Sequence, residues 1–281
     1  MILACLAIMA DGKSYGQIAR RTFQTTDGVT LSFLEAGREH ADEENVKIVF
    51  IAGWSMPAAL WQRQLVALGR SYYALALDPR GQGESEVPTY GYTAERRATD
   101  IHEFLKPFSK ALLVGWSLGA IESLQYVQMF GAGHLAGLVL VDSSVGEEPA
   151  PAPDGVFLKE LRKDRDKTLG EFVRAIFKTK QNDVEINELV RGAKRLALDD
   201  SIALLSYPFP RRHWREIARG FTKPLLYVVT PQFEAQAHNL QKSRPKTQIV
   251  VFKQAGHALF VDEPERFNGL IETFVENLPQ H

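Results

Sequence analysis

The sequence predicts a doubly wound α/β protein built on a mostly parallel sheet. Three observations carry this. Apolar runs of strand length recur along the 281 residues. Stretches with helical periodicity separate them, which is the pattern of strand-helix-strand units. One of these runs ends on a serine between glycines, Gly115-Trp116-Ser117-Leu118-Gly119, where a helical pattern begins.

Residues 22–26 and 29–36, split by Asp27-Gly28, predict an opening hairpin, and the charged stretch 38–45 a surface loop. Residues 46–51 predict a buried strand ending at Gly53, and 57–68 a helix with Pro57 suited to its first turn. Residues 72–77 form the next strand and close on Asp78-Pro79-Arg80-Gly81-Gln82-Gly83-Glu84-Ser85. An amphipathic helix spans 93–108 with Thr93 as its N-cap. Strand 110–115, helix 118–129 and strand 137–141 come next.

The rhythm breaks at Glu147, and Pro149, Pro151 and Pro153 make a stiff linker. The chain is then helical and charged until the apolar strand 224–229; strand 248–252 and helix 264–278 complete the pattern. The expected division is therefore an apolar tail over 1–21, a core of eight strands over 22–145 and 222–281, and a helical cap over 146–221, inserted after the sixth strand.

Composition narrows the function. With 33 basic and 34 acidic residues the net charge is −1, so neither nucleic acid nor an anionic membrane surface is an expected partner. The single cysteine, Cys5, excludes internal disulfides and a cysteine-rich metal site. No metal-ligand cluster is visible, and the glycine-rich segments lack phosphate-binding spacing, so no cofactor is expected. Residues 2–10 are almost wholly apolar and a polar stretch succeeds them. They resemble the end of a secretion signal cleaved after Ala10, or a docked hydrophobic tail, leaving cytoplasmic and exported locations both open. The run is too short for a transmembrane helix.

The glycine-flanked serine has the form of a nucleophile elbow. So tight a turn leaves no room for side chains two residues to either side of the serine. The serine then stands over a helix N-terminus, whose free N–H groups and dipole suit a developing oxyanion. The competing role for Ser117 is helix N-cap.

Four landmarks in order carry a resemblance. They are Ala52-Gly53-Trp54 after the third strand, Asp78 to Ser85 after the fourth, the Ser117 elbow, and Gly256-His257 after the last strand. Together they resemble the α/β-hydrolase superfamily over roughly residues 22–278. Gly53-Trp54 and Gly115-Trp116-Ser117-Leu118-Gly119 are most similar to its serine carboxylesterases and cofactor-free haloperoxidases.

The resemblance implies roles for particular residues. Ser117 would be the nucleophile and His257 the base that takes its proton. The remaining histidines fall in helices, before a strand or in exposed segments. Relatives usually place the acid after the seventh strand, but here that stretch reads Thr230-Pro231-Gln232-Phe233, with Phe233 at the acid position. Asp142, after the sixth strand, is the expected substitute, and Glu234 its competitor. The backbone N–H groups of Trp54 and Leu118 would form the oxyanion hole. Ala52 stands where relatives carry histidine, so the loop lacks one side-chain brace. Trp54, Trp116, Tyr207 and Phe209 are the expected substrate-binding side chains. Asp78 and Arg80 are read as a structural turn.

The implied function is a serine hydrolase that cleaves esters of small to medium apolar substrates through an acyl-enzyme. The same residues suit lactone or C–C bond hydrolysis, acyl transfer or perhydrolysis. A serine at position 117 argues against haloalkane dehalogenases and epoxide hydrolases, which need aspartate there. A binding protein without catalysis is the reading from a different class, motivated by Phe233 and Ala52. The expected partner is a small-molecule ester.

Overall fold

The computed structural model describes residues 17–151 and 155–279. The apolar tail over 2–10, with its cleavage reading, lies outside the described residues. Eight strands form one sheet: β1 (Ala19–Gln24), β2 (Thr30–Ala36), β3 (Lys47–Ile51), β4 (Ala74–Leu77), β5 (Ala111–Trp116), β6 (Leu135–Val141), β7 (Leu225–Val229) and β8 (Gln248–Val251). Their spatial order is β1-β2-β4-β3-β5-β6-β7-β8. β1 and β2 pair antiparallel, as do β2 and β4; every later pairing is parallel. The first strand begins three residues before its expected start at 22. The ladder with β2 runs out to Ala19 opposite Glu35, so residues 19–21 belong to the sheet rather than to a tail.

Helices cover both faces, which is why the central strands are continuously apolar. In β3, Ile48 and Phe50 enter one core while Val49 and Ile51 enter the other. The first core packs against α1 (Gln62–Leu68) on that face. The second takes Ala98 and Ile101 from α2 (Ala94–Leu105), and Ala120 and Leu124 from α3 (Leu118–Phe130). Burying each such leucine or isoleucine contributes about 1.5–3 kcal/mol. Thr93 does cap α2, accepting from the Arg96 N–H. The helix expected over 57–68 splits instead into a 3-10 turn, Ala58–Trp61, and then α1.

Five helices lie between β6 and β7: α4 (Gly155–Lys163), α5 (Arg165–Ala175), α6 (Asp183–Ala193), α7 (Leu198–Leu205) and α8 (Arg211–Gly220). Leu161, Leu169 and Val173, from α4 and α5, join the first core. The last helix differs from the others. Trp214, Ile217 and Ala218 make an apolar stripe at helical spacing, and α8 packs with α3 on the second core. The chain ends with α9 (Glu234–Ser243), α10 (Leu259–Asp262) and α11 (Pro264–Glu276), whose Phe267, Ile271 and Phe274 return to the first core.

The topology creates a crevice. From β3 the chain steps to β4 on one side, then crosses to β5 on the other. The segments leaving β3 and β5 therefore diverge at the carboxyl edge, the usual place for a ligand in an open α/β sheet. Gly115 and Gly119 let the elbow form there. A β-carbon on Gly119 would lie 2.6 Å from the Ile51 carbonyl oxygen and 2.7 Å from that of Ala52, and one on Gly115 2.7 Å from Ala120 Cα. These obstacles are backbone and cannot swing aside. Gly119→Ala is therefore expected to lower unfolding stability by about 2 kcal/mol or more, read from the urea midpoint. An unchanged midpoint would contradict the packing described.

Candidate active site

Ser117 stands between β5 and α3 with φ 54 and ψ −119. Its side chain makes no capping hydrogen bond, so it does not act as the N-cap that a serine in this place commonly is. Among the described residues, the non-glycine residues with positive φ are Ser55, Ser117 and Asp142. Each follows a strand that bounds the crevice, or the loop leaving it. Such conformations cost of order 1–3 kcal/mol and persist only where surrounding structure enforces them.

Asp142 follows β6 and is 1% exposed. A buried carboxylate needs partners for both oxygens. Oδ1 accepts from the Thr230 N–H at 2.6 Å and from the Thr230 hydroxyl at 2.8 Å. Oδ2 lies 2.8 Å from His257 Nδ1. The bond to a carboxylate places the proton on Nδ1 and leaves Nε2 free to accept one. The segment after β7 thus supplies hydrogen-bond donors to an acid from β6. Phe233 packs into the second core, and Glu234, first residue of α9, lies 3.8 Å from His238. The structure brings Asp142, and not Glu234, to His257.

His257 is fixed through its backbone. The indole N–H of Trp116 donates to the His257 carbonyl at 2.9 Å, with the two rings 5.2 Å apart. The neighbouring Ala258 N–H donates to the Ile176 carbonyl at 2.7 Å, tying this segment to the region after α5. Asp262 completes the attachment. Its carboxylate accepts from the Gly256 N–H at 2.8 Å, from the N–H groups of Lys178 and Thr179 at 2.9 Å, and from the Thr179 hydroxyl at 2.5 Å. Burial tends to raise this carboxyl, and the four hydrogen bonds bring it below its ordinary range.

The two expected oxyanion donors belong to Leu118, next to Ser117 in the chain, and to Trp54, next to Gly53, whose backbone approaches Ser117 closely. Leu118 opens α3, so no intrahelical carbonyl can accept its N–H. Trp54 follows Gly53, where a β-carbon would sit 3.1 Å from Ser117 Cβ. Among the described residues no backbone carbonyl accepts the Trp54 N–H.

A cleft of about 250 Å³ reaches Ser117. Its walls are Leu118, Ile121, Ser143, Leu204, Leu205, Tyr207 and Trp214. Among these lining residues none carries a charge. The Tyr207 hydroxyl turns away to Glu122 Oε1 at 2.9 Å. Burial, with the Glu122 charge beside it, pushes the Tyr207 phenol well above its usual range, so it stays a neutral donor.

Three of the four expected substrate-binding side chains do other work. Trp116 is 1% exposed and lies beneath His257 rather than in the cleft. Phe209 stacks on His213 at 4.3 Å and meets Trp214 edge-on at 5.4 Å, behind the cleft wall. The Trp54 indole is sealed between Phe157 and Phe172, and its N–H donates to the Ser201 carbonyl at 2.7 Å. Aromatic residues near a site are read easily as its lining, yet here their apolar area is consumed in packing. Of the four, only Tyr207 lines the cleft. Asp262 gave no sign in the sequence because three of its four donors come from Lys178 and Thr179, more than eighty positions away.

Among the described residues, no cluster of three or more His, Cys, Asp or Glu could hold a metal ion, and no helix is long and apolar enough to cross a membrane.

The sequence pattern of the alpha/beta hydrolase family matches residues 48–270. A pimeloyl-(acyl-carrier protein) methyl ester esterase of Vibrio vulnificus is 25% identical over 253 residues, covering 78% of this chain and 90% of that protein. A non-heme chloroperoxidase of Kitasatospora aureofaciens is 31% identical over 142 residues, 47% of this chain and 50% of that one. The crystal structure of an esterase from Rhodococcus sp. ECU1013 superposes with a TM-score of 0.77 at 22% identity, covering 92% of this chain and 99% of the other, a likeness of fold.

Asp262 generates a pH-dependent expectation. A carboxyl lowered in the folded state stabilises it fully above the unfolded value, and that stability is lost as pH falls through the folded one. The stability gap between wild type and Asp262→Asn should be complete above about pH 5 and close as pH drops below about 3.9. Urea unfolding at a series of pH values measures it. A gap independent of pH would contradict the role given to the carboxylate.

Proposed function

The chain belongs to the alpha/beta hydrolase family, and on that premise we propose that it is a serine hydrolase cleaving carboxylic esters of small, largely apolar acyl or aryl groups. One observation carries the reading: His257 Nδ1 lies 2.8 Å from the buried Asp142 carboxylate, on the strand edge that also holds the strained Ser117. A serine hydroxyl is a poor nucleophile unless an oriented base accepts its proton, and this pair is suited to provide one.

The steps are set by the residues. Ser117 Oγ attacks the ester carbonyl carbon while His257 Nε2 takes the hydroxyl proton. Asp142 holds the imidazole in the required tautomer and stabilises the imidazolium that forms. The N–H groups of Trp54 and Leu118 donate to the carbonyl oxygen as negative charge grows on it. Collapse expels the alcohol, which leaves with the proton from His257. Water then attacks the acyl-enzyme, His257 takes its proton, and that proton returns to Ser117 as the acid departs.

The cleft argues for small substrates. Its volume of about 250 Å³ falls below the range of about 300–1,000 Å³ usual for drug-sized ligands. Uncharged walls favour a neutral acyl or aryl group, since a carboxylate or ammonium there would be desolvated without a partner. The esterase name of one relative agrees with this reading, although that protein's own substrate has no claim on this chain.

With p-nitrophenyl acetate as substrate, Ser117→Ala is expected to abolish turnover, and wild-type rates in that variant would refute the nucleophile. Asp142→Asn should lose about 10³- to 10⁴-fold in kcat, while Glu234→Gln keeps wild-type activity. Loss confined to Glu234→Gln would move the orienting role there. Across acyl lengths, kcat/KM should fall by about tenfold or more between butyryl and octanoyl esters as the chain outgrows the cleft. A rise with length would contradict the proposed substrate size.

A further inference from the structure

The loop that presents the Trp54 N–H has no regular structure of its own. It leaves β3 at Ile51, passes Ser55 at φ 58, and closes one weak turn, from the Met56 N–H to the Gly53 carbonyl at 3.2 Å. Something outside the loop must hold it in this strained shape. The Asp78 carboxylate accepts from the Ala58 N–H at 2.7 Å beyond the loop's far end, and the Trp54 indole is anchored on Ser201, but the carbonyls of the turn itself are held by one side chain. The Gln82 amide nitrogen donates to the Gly53 carbonyl and to the Met56 carbonyl, each at 2.9 Å. One amide thus clamps both ends of the segment carrying Trp54.

Gln82 is itself held. It is 2% exposed. Its carbonyl oxygen accepts from the Arg97 guanidinium at 3.1 Å, which fixes which end of the amide faces the loop. Arg97 pairs with Glu122 of α3 at 2.9 Å, and Glu122 also accepts the Tyr207 hydroxyl from the cleft wall. The clamp is therefore continuous with buried, charge-assisted contacts rather than with solvent, and neither of its amide donors is free to find another partner.

We propose that Gln82 is a positioning residue for the oxyanion hole, holding the Trp54 N–H where charge develops on the substrate carbonyl. The proposal rests on the serine-hydrolase reading above. Gln82 touches no substrate. It acts through the loop, so its removal should weaken transition-state binding more than ground-state binding.

Two substitutions test it. Gln82→Glu keeps the volume and an acceptor for Arg97 but offers no N–H to the two carbonyls. Gln82→Met removes both donors without adding charge, and carries the test if the glutamate variant fails to fold. In either, kcat is expected to fall about 10²-fold with KM within about threefold, as for loss of one oxyanion donor. Affinity for a trifluoromethyl ketone, which forms a tetrahedral adduct on Ser117, should fall in proportion to kcat/KM. Hydrogen exchange of the 53–58 peptide should quicken. Wild-type kcat and ketone affinity in a folded variant, or a loss confined to KM, would overturn the proposal. If the wild-type protein turns over no ester, the serine-hydrolase reading fails by itself. Exchange of the 53–58 peptide then still decides the clamp: unchanged protection in the variants would overturn it, and faster exchange would uphold it.

Discussion

The buried carboxylate of Asp142 sets terms that the surrounding structure has to meet. It is 1% exposed, so each of its oxygens needs a donor. The donors come from two other chain segments: the N–H and hydroxyl of Thr230 after β7, and the imidazole of His257 after β8. One acidic side chain thereby ties together the ends of three neighbouring strands. That tie also explains the backbone at Asp142, whose φ of 42 would be unfavourable in an isolated loop. A misplaced Thr230 would leave a desolvated charge, so the arrangement resists partial disruption.

The same logic runs through the other side of the crevice. Ser55, Ser117 and Asp142 all hold left-handed backbone, and each is enforced by contacts from beyond its own segment. The Ser117 N–H is fixed by the Val141 carbonyl at 2.9 Å, the Ser55 loop by Gln82, and the His257 loop by Trp116 and Asp262. Strain is concentrated where reacting groups would need a preset geometry. The apolar cores on both sheet faces supply the rigidity that holds it. The helices between β6 and β7 share in this. Ile176, Lys178 and Thr179 hold the His257 segment, and Ser201 holds the Trp54 indole.

How far the sequence speaks depends on the range of the interaction. Gly115 and Gly119 were legible because the tight turn is a local steric fact. The central strands were legible because burial on two faces writes continuous apolar runs into the sequence, the opening hairpin because Asp27-Gly28 marks its turn, and the contact of Asp142 with His257 because Phe233 leaves the usual acid position vacant. Boundaries were less so: β1 extends to Ala19 because of its partner strand, which its own residues do not announce. Side-chain direction was not legible at all. Trp116 and Phe209 lie at positions that place an aromatic near the site, yet their rings turn into packing. Gln82 and Asp262 gave no signal, because an amide or carboxylate is defined by partners 26 or 83 residues distant.

As proposed, Ser117 is a nucleophile whose reactivity depends on His257 and Asp142. The most direct test is labelling by a fluorophosphonate, with peptide mapping and the rate of labelling in variants. The phosphonyl group is expected on Ser117, with a rate at least about a hundredfold slower in His257→Ala and in Asp142→Asn. Absence of label from Ser117 in the folded protein, or an undiminished rate in Asp142→Asn, would contradict it.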